Sequence, residues 1–383
     1  MIGTLQSGGV SKSLVNLLNT IDRQRYDVHL LVMSFEGTVY DQFLPTDITL
    51  HEDANLADLH NGVAGLRSML RRGRWLLMLG SMLRMVLSLF NKAWAARWMA
   101  HLMPAIEGEF DLIVDYDGQQ LLYYMVDKLR GRRLLTFFHS DYSQWAYYYA
   151  ADKLYYPKVD AIYTISEQCV EALRDYFPDC AHKVHLMENI NSPQLINELA
   201  QAKTPAELAS HLTSGTPTFL TIGHVQAAKG TDIALEAAIQ LKAKGVRFHW
   251  YFLGKLADEQ FAQRVQKEGL SDVVTFLGIR SNPYPYIQAA TLIVHPSRFE
   301  GKSIALDEAK ILCKPIVVTR FSTVHNQFAD GINATICEMN GTALATAIGE
   351  LLTDVPRQQQ YIEYLRAHIA DNSSEIKKVY AWL

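Results

Sequence analysis

Short apolar runs, most of them closed by a polar or glycine turn and followed by a stretch of helical period, recur along the chain. Residues 2–5 read as the end of a strand. Gln6 to Ser11 form a glycine turn, and Leu14, Leu17, Leu18 and Ile21 keep the spacing of one helix face. Strands are expected at 26–33, 110–115, 133–138 and 160–166, the last leading into a helix from about 167 to 176. Asn189, Asn191 and Pro193 break the rhythm, and the domain boundary is placed there. After a polar helix near 205–211 the alternation resumes. Strands are expected at 218–223, 248–254, 273–279, 291–294, 316–319 and 334–337, with helices at 231–243 and 304–312 and a helical tail from 342. Strand, loop, helix, strand is the βαβ unit, which requires parallel sheets. The fold class is therefore α/β, with Rossmann-like domains at 1–190 and 191–383.

One segment departs from this rhythm. From Leu59 to Ile106 there is no acidic residue, while Arg67, Arg71, Arg72, Arg74, Arg84, Lys92 and Arg97 are interleaved with Trp75, Trp94, Trp98 and many Leu and Met. Leu83, Val86, Leu87 and Phe90 keep helical spacing. A basic, Trp-bearing amphipathic insertion at about 60–106 suits a membrane surface. Ordinary intramolecular helices and a protein-partner surface are the other readings. A true span is disfavoured by length and by Arg84.

Composition changes the picture little. A chain of 383 residues holds two cores, and 49% hydrophobic with 20% charged residues are globular values. The formal net charge of −4 implies no general attraction to nucleic acid. Cys169, Cys180, Cys313 and Cys337 form no CxxC pair, so they read as reduced, buried cysteines of a cytosolic protein. The N-terminus lacks the basic segment and long apolar run of a signal peptide. Its strand is oddly short, which points to a truncated start.

The candidate chemistry clusters at strand ends. After strand 291–294 comes the loop Arg298-Phe-Glu-Gly-Lys-Ser303 and then a helix, with Glu300 in the loop and Glu308 about two turns into the helix. Gly301 lets the backbone approach a ligand, and the first amides of the helix favour an anion. The bland reading is a solvated loop with two surface acids. After strand 218–223, the loop carries His224, Lys229 and Gly230. A lysine at a helix start is unfavourable unless an anion joins it. After strand 133–138 comes His139-Ser-Asp141, and after 110–115 comes Asp115-Tyr-Asp117. Gly8 and Gly9 sit in the first loop, but G-x-G-x-x-G is absent. That absence argues against a nucleotide-cofactor oxidoreductase.

Glu300 to Glu308, followed by Lys314-Pro315, resembles the E-x7-E signature of family 4 glycosyltransferases, retaining enzymes of the GT-B fold. Lys229-Gly230, His139 and the Gly8-Gly9 loop resemble further family motifs, so the likeness runs through nearly the whole chain. It implies two Rossmann-like domains facing each other across a cleft. The first holds the acceptor and the second a nucleotide sugar, with UDP as the expected nucleotide. Lys229, His139 and Glu300 are the implied catalytic set. Gly8, Gly9, Gly223, His224, Lys229, Gly278, Ile279, Glu300, Gly301, Lys302, Ser303, Ile304 and Glu308 are the implied donor contacts, Glu308 taking the ribose. Asp117 and Asp141 are implied near the acceptor, a glycan or lipid-linked chain of cell-surface polysaccharide synthesis. No metal and no cofactor are expected. The expected location is cytoplasmic, peripheral on the inner face of the cell membrane. The C-terminal segment 376–383 is expected to cross back to the first domain. His224 replaces the family's arginine and has no forked cation, and Ser11 stands where an acid is usual. The alternatives are a non-catalytic GT-B partner subunit and another GT-B enzyme, such as a nucleotide-sugar epimerase or a phosphorylase.

Overall fold

The computed structural model describes residues 1–6 and 8–383. The chain folds as two compact units, one of residues 1–190 with 373–383 and one of residues 191–372. In the first unit, β1 (Ile2–Thr4), β2 (His29–Ser34) and β3 (Thr49–His51) pair in the order β1-β2-β3. Then β4 (Glu109–Asp115), β5 (Arg130–Phe138), β6 (Ala161–Thr164) and β7 (Val184–Leu186) pair in chain order. All of these ladders are parallel. The two groups meet at Met1, whose carbonyl accepts from the Tyr116 amide at 3.0 Å and whose amine donates to the Val114 carbonyl at 2.8 Å.

Strand β2 shows why such strands read as unbroken apolar runs. Leu31 and Met33 pack into one core, while Leu30 and Val32 pack into another with Leu14, Leu17 and Leu18 of α1 (Gly9–Thr20). Both faces of a parallel sheet are covered, so alternate residues find separate apolar layers. Between β3 and β4 the basic insertion forms four helices: α2 (Ala54–His60), α3 (Gly62–Arg71), α4 (Trp75–Phe90) and α5 (Lys92–Leu102).

The second unit holds one six-stranded parallel sheet: β8 (Thr218–Ile222), β9 (His249–Leu253), β10 (Val274–Gly278), β11 (Leu292–His295), β12 (Ile316–Thr319) and β13 (Thr335–Cys337). Its order is β10-β9-β8-β11-β12-β13, so the direction of winding reverses between β8 and β11. Leu292 and Val294 point into one core and Ile293 into the other.

The C-terminal tail is counted with the second domain by its sequence bounds but is expected to cross back to the first over 376–383, and it does so from residue 373. Residues 373–383 pack with the first unit, where Ile376 and Val379 are buried with Leu135 and Tyr163. Trp382 Nε1 donates to the Tyr163 hydroxyl at 2.9 Å, and Lys378 donates to the Leu186 carbonyl at 2.9 Å.

Candidate functional site

In open parallel sheets, ligands bind outside the carboxyl ends of the strands where the winding reverses. In the second unit that place lies between β8 and β11, and the loops after these two strands carry Lys229 and Glu300. Lys229 Nζ donates to both Glu300 oxygens, at 2.7 and 2.9 Å. His295, the last residue of β11, donates from Nε2 to Glu300 Oε1 at 2.8 Å. The Thr323 hydroxyl donates to the Glu300 carbonyl at 2.6 Å. Burial is the largest influence on the Glu300 carboxyl and pushes its pKa up. The hydrogen bond and charge of His295 and the charge of Lys229 outweigh it, bringing the value down to about 2. Glu300 is thus a fixed carboxylate between the Lys229 ammonium and the His295 ring.

Two contacts tie the β8 and β11 loops together. Gly230 is left-handed, with φ +67°, and a side chain there would meet the Pro296 carbonyl oxygen at 1.8 Å. Arg298 donates to both oxygens of Asp232 at 2.6 Å and to the Ala227 carbonyl at 2.6 Å. Such a forked pair fixes geometry as well as charge. Gly223, with φ +149°, sits against the Lys229 stem, its missing Cβ 3.6 Å from Lys229 Cγ. His224 is exposed beside it. Partial desolvation, then the Lys229 and Lys255 ammoniums, hold its pKa below the usual histidine value. It is therefore a neutral hydrogen-bonding group at neutral pH rather than a cation.

The bland reading of the two glutamates as surface acids fails. Glu300 is 8% exposed and Glu308 is fully buried, where it accepts from the Tyr284 hydroxyl at 3.0 Å. Ser303 caps the helix Ile304–Ile311 at the position expected, but its amide is taken: it donates to Gln327 Oε1 at 2.9 Å. Gln327 Nε2 donates in turn to the Ser303 carbonyl and to Asp307 Oδ1, each at 3.0 Å. Lys302 Nζ lies 3.8 Å from Asp307 Oδ2. The Ser303 amide, one of the implied donor contacts, is thus occupied within the protein. Gly278 ends β10 in the left-handed region, φ +72°, and Ile279 beyond it is 38% exposed.

In the first unit the winding reverses between β1 and β4, beside which Gly8, Gly9 and Asp117 lie. Gly8 and Gly9 are exposed, and α1 has no side-chain cap among the described residues. Asp115 is not free for a ligand. It is buried and accepts from the Asp117 and Gly118 amides and the Thr136 hydroxyl, while burial raises its pKa to about 7. Asp117 is exposed as a residue, with one oxygen accepting from the Gly3 amide at 3.0 Å. Asp141 accepts from the Ser143 amide and hydroxyl, capping a short helix. Among the described residues, no group of three or more His, Cys, Asp or Glu is arranged to hold a metal ion.

His139 Nδ1 donates to Asn189 Oδ1 at 3.1 Å, and the same oxygen accepts from the Ser13 hydroxyl at 2.8 Å. The ring stacks on Phe137, and burial lowers its pKa to about 4, so it is neutral. Its Nε2 is buried with no hydrogen-bond partner among the described residues. An orphaned buried nitrogen is costly unless a ligand supplies the partner.

Sequence reasoning missed His295, Thr323 and Gln327. The strand-end position of His295, five residues before Glu300, was a usable signal; Gln327, in a different loop, offered none.

Two family models match the chain: Glycosyltransferase Family 4 over residues 7–190 and Glycosyl transferases group 1 over residues 205–368. The chain belongs to glycosyltransferase family 4. The transferase is 22% identical over 292 residues to the alpha-D-kanosaminyltransferase of Streptomyces kanamyceticus, covering 70% of this chain and 74% of that one. It is also similar to Anabaena HepE in complex with UDP-glucose, with a TM-score of 0.68 at 16% identity over 100% of this chain and 99% of the other. WaaG, a glycosyltransferase involved in lipopolysaccharide biosynthesis, gives 0.61 at 16% identity, covering 99% and 98%. These likenesses show the transferase to have the GT-B fold.

Proposed function

We propose that the transferase moves a hexosyl group from a UDP-sugar to a glycan or lipid-linked acceptor of cell-surface polysaccharide synthesis, with retention at the anomeric carbon. The observation that carries this reading is the buried Glu300 held between Lys229 and His295 at the reversal of the second sheet. The diphosphate competes with Glu300 for Lys229, and Glu300 turns its oxygens to hydroxyls of the donor sugar. Glu308 takes the ribose, the amides of Gly301 and Ile304 orient the sugar and phosphate, and Gly278 and Ile279 meet the base. His224 adds one neutral hydrogen bond. The orphaned His139 Nε2 offers what a hydrogen bond to a sugar hydroxyl needs. UDP-glucose in HepE supports the choice of donor class.

In the reaction the bond from the anomeric carbon to the leaving diphosphate oxygen breaks. The acceptor oxygen forms the new bond on the same face, and its proton passes to the leaving phosphate. Lys229 neutralises the charge that builds there; removing such a donor costs on the order of 10²–10³ in rate. We place the transferase at the inner face of the cell membrane, meeting it through the region from Arg67 to Trp98.

The test is UDP release from a panel of UDP-sugars with membranes or lipid acceptors. Wild type is expected to exceed Glu300→Ala by at least a hundredfold with one donor; equal rates with every donor overturn the reading.

A further inference from the structure

Helix α4 presents a broad apolar side to the outside as well as to the core. Trp75, Leu76, Leu79, Val86, Leu89 and Phe90 are all at least half exposed, Leu76 by 86% and Leu89 and Phe90 by 82%. At a hundred degrees per residue, roughly, they share one side of the helix. The side turned to the protein carries Leu77 and Met78 against the core together with small and polar positions. Gly80 and Ser81 are buried, and a side chain at position 80 would meet Leu102 Cδ2 at 2.7 Å. Trp98 Nε1 donates to the Gly80 carbonyl at 2.9 Å. Arg84 is half-buried, its Nη1 3.2 Å from Met99 Sδ. An apolar side of this width left outside means that another apolar medium covers it.

The surroundings say which medium. No carboxylate occurs between Leu59 and Ile106. On α3, next in the chain, a hollow of about 400 Å³ is lined by Ala64, Arg67, Ser68, Arg71 and Arg72. Arg67 and Arg71 make no ion pair among the described residues, whereas Arg72 lies 3.6 Å from Asp58. A second copy of this chain would bring like charges together. The sixteen residues of α4 span about 24 Å, short of the roughly 30 Å hydrocarbon layer. No described helix is long and apolar enough to cross a membrane. What remains is an apolar layer approached from the side and edged with negative charge.

We propose that α4 lies in the plane of an anionic bilayer surface, its apolar side inserted, with Arg67 and Arg71 on lipid phosphates. The acceptor is accordingly one anchored in that bilayer rather than a soluble glycan. The acceptor statement rests on the transfer reading; the surface does not.

Vesicle flotation of the full chain tests the surface. With phosphatidylcholine–phosphatidylglycerol vesicles at low salt the protein floats, and Leu79→Glu/Val86→Glu lowers the floated fraction at least tenfold. Arg67→Glu/Arg71→Glu removes the preference for anionic over pure phosphatidylcholine vesicles. Protein that stays at the bottom, or floats equally with both vesicles, overturns the proposal. So does a concentration-dependent dimer in gel filtration that Leu79→Glu abolishes. UDP release without acceptor is the folding control, since neither pair touches the donor loops: both variants keep the wild-type rate. The acceptor is tested with dodecyl glucoside in vesicles against methyl glucoside in solution. The Leu79→Glu/Val86→Glu enzyme loses at least tenfold with the first and nothing with the second; equal loss, or none, overturns the assignment. If Glu300→Ala releases UDP as fast as wild type while flotation persists, the transfer reading falls and the membrane surface stands.

Discussion

Glu300 is charged because of its company. Its folded pKa of about 2 lies below the ordinary 4.5, so its ionised form favours folding above about pH 4.5. That contribution falls away as the pH drops from about 4.5 and is gone below about 2. An acid limb in the rate profile above about pH 4 therefore belongs to another group. His224 feels the charge of Lys229. Its pKa is held below the ordinary 6.5, so it gains charge only as the pH falls below that value, and donor affinity is expected to rise there. His224→Arg supplies a permanent forked cation. Its KM for the UDP-sugar should drop by about tenfold and lose that pH dependence, read from initial rates at several pH values. At this scale Glu300 and Lys229 were legible because the loops that carry them resemble family motifs, E-x7-E and Lys-Gly. His295 and Gln327 were not: a side chain that reaches from one loop to another leaves no periodic trace.

Among elements, the loops after β8 and β11 behave as one piece because Gly230 touches Pro296 and Arg298 grips Asp232. Gly230→Ala forces a left-handed alanine whose Cβ would lie 1.8 Å from a carbonyl oxygen. The expected cost is about 3 kcal/mol, with donor binding lost, measured by thermal unfolding and UDP titration. The strands of the second unit were readable from their apolar runs because both sheet faces are covered. The short β3 was not, since Thr49–His51 has no apolar run and is exposed for most of its length. Helix α4 was readable as a helix but not as one with a broad apolar side left outside. A helical period is the same whichever side faces the protein, so only packing reveals that Gly80 and Arg84 turn inward.

For the whole molecule, the chain passes from one unit to the other at residue 190 and returns at 373. Each unit has its own apolar layers, so damage to one need not spread. Removing residues 373–383 strips Ile376, Val379, the Tyr163–Trp382 bond and the bond from the Asp22 amide to the Tyr380 hydroxyl from the first unit. The expected result is a first unit that melts at least several degrees lower while the second keeps its transition, seen as two separated steps in calorimetry. The boundary was visible in the sequence as a break in rhythm at Asn189 to Pro193. The returning tail was expected from the family likeness alone, because no local pattern says which core Ile376 enters.

The grip of Glu300 on Lys229 also bears on how a catalytic cycle ends. On the proposed transfer, once the sugar has gone to the acceptor its hydroxyls no longer occupy the carboxylate, which again competes with the nucleotide for the same ammonium. On that reading the residue that helps to seat the donor then helps to evict the spent UDP. A Glu300→Gln enzyme keeps the shape but not the competing charge. It should hold UDP about tenfold more tightly than wild type in titration calorimetry, and a weaker hold would deny Glu300 any part in product release.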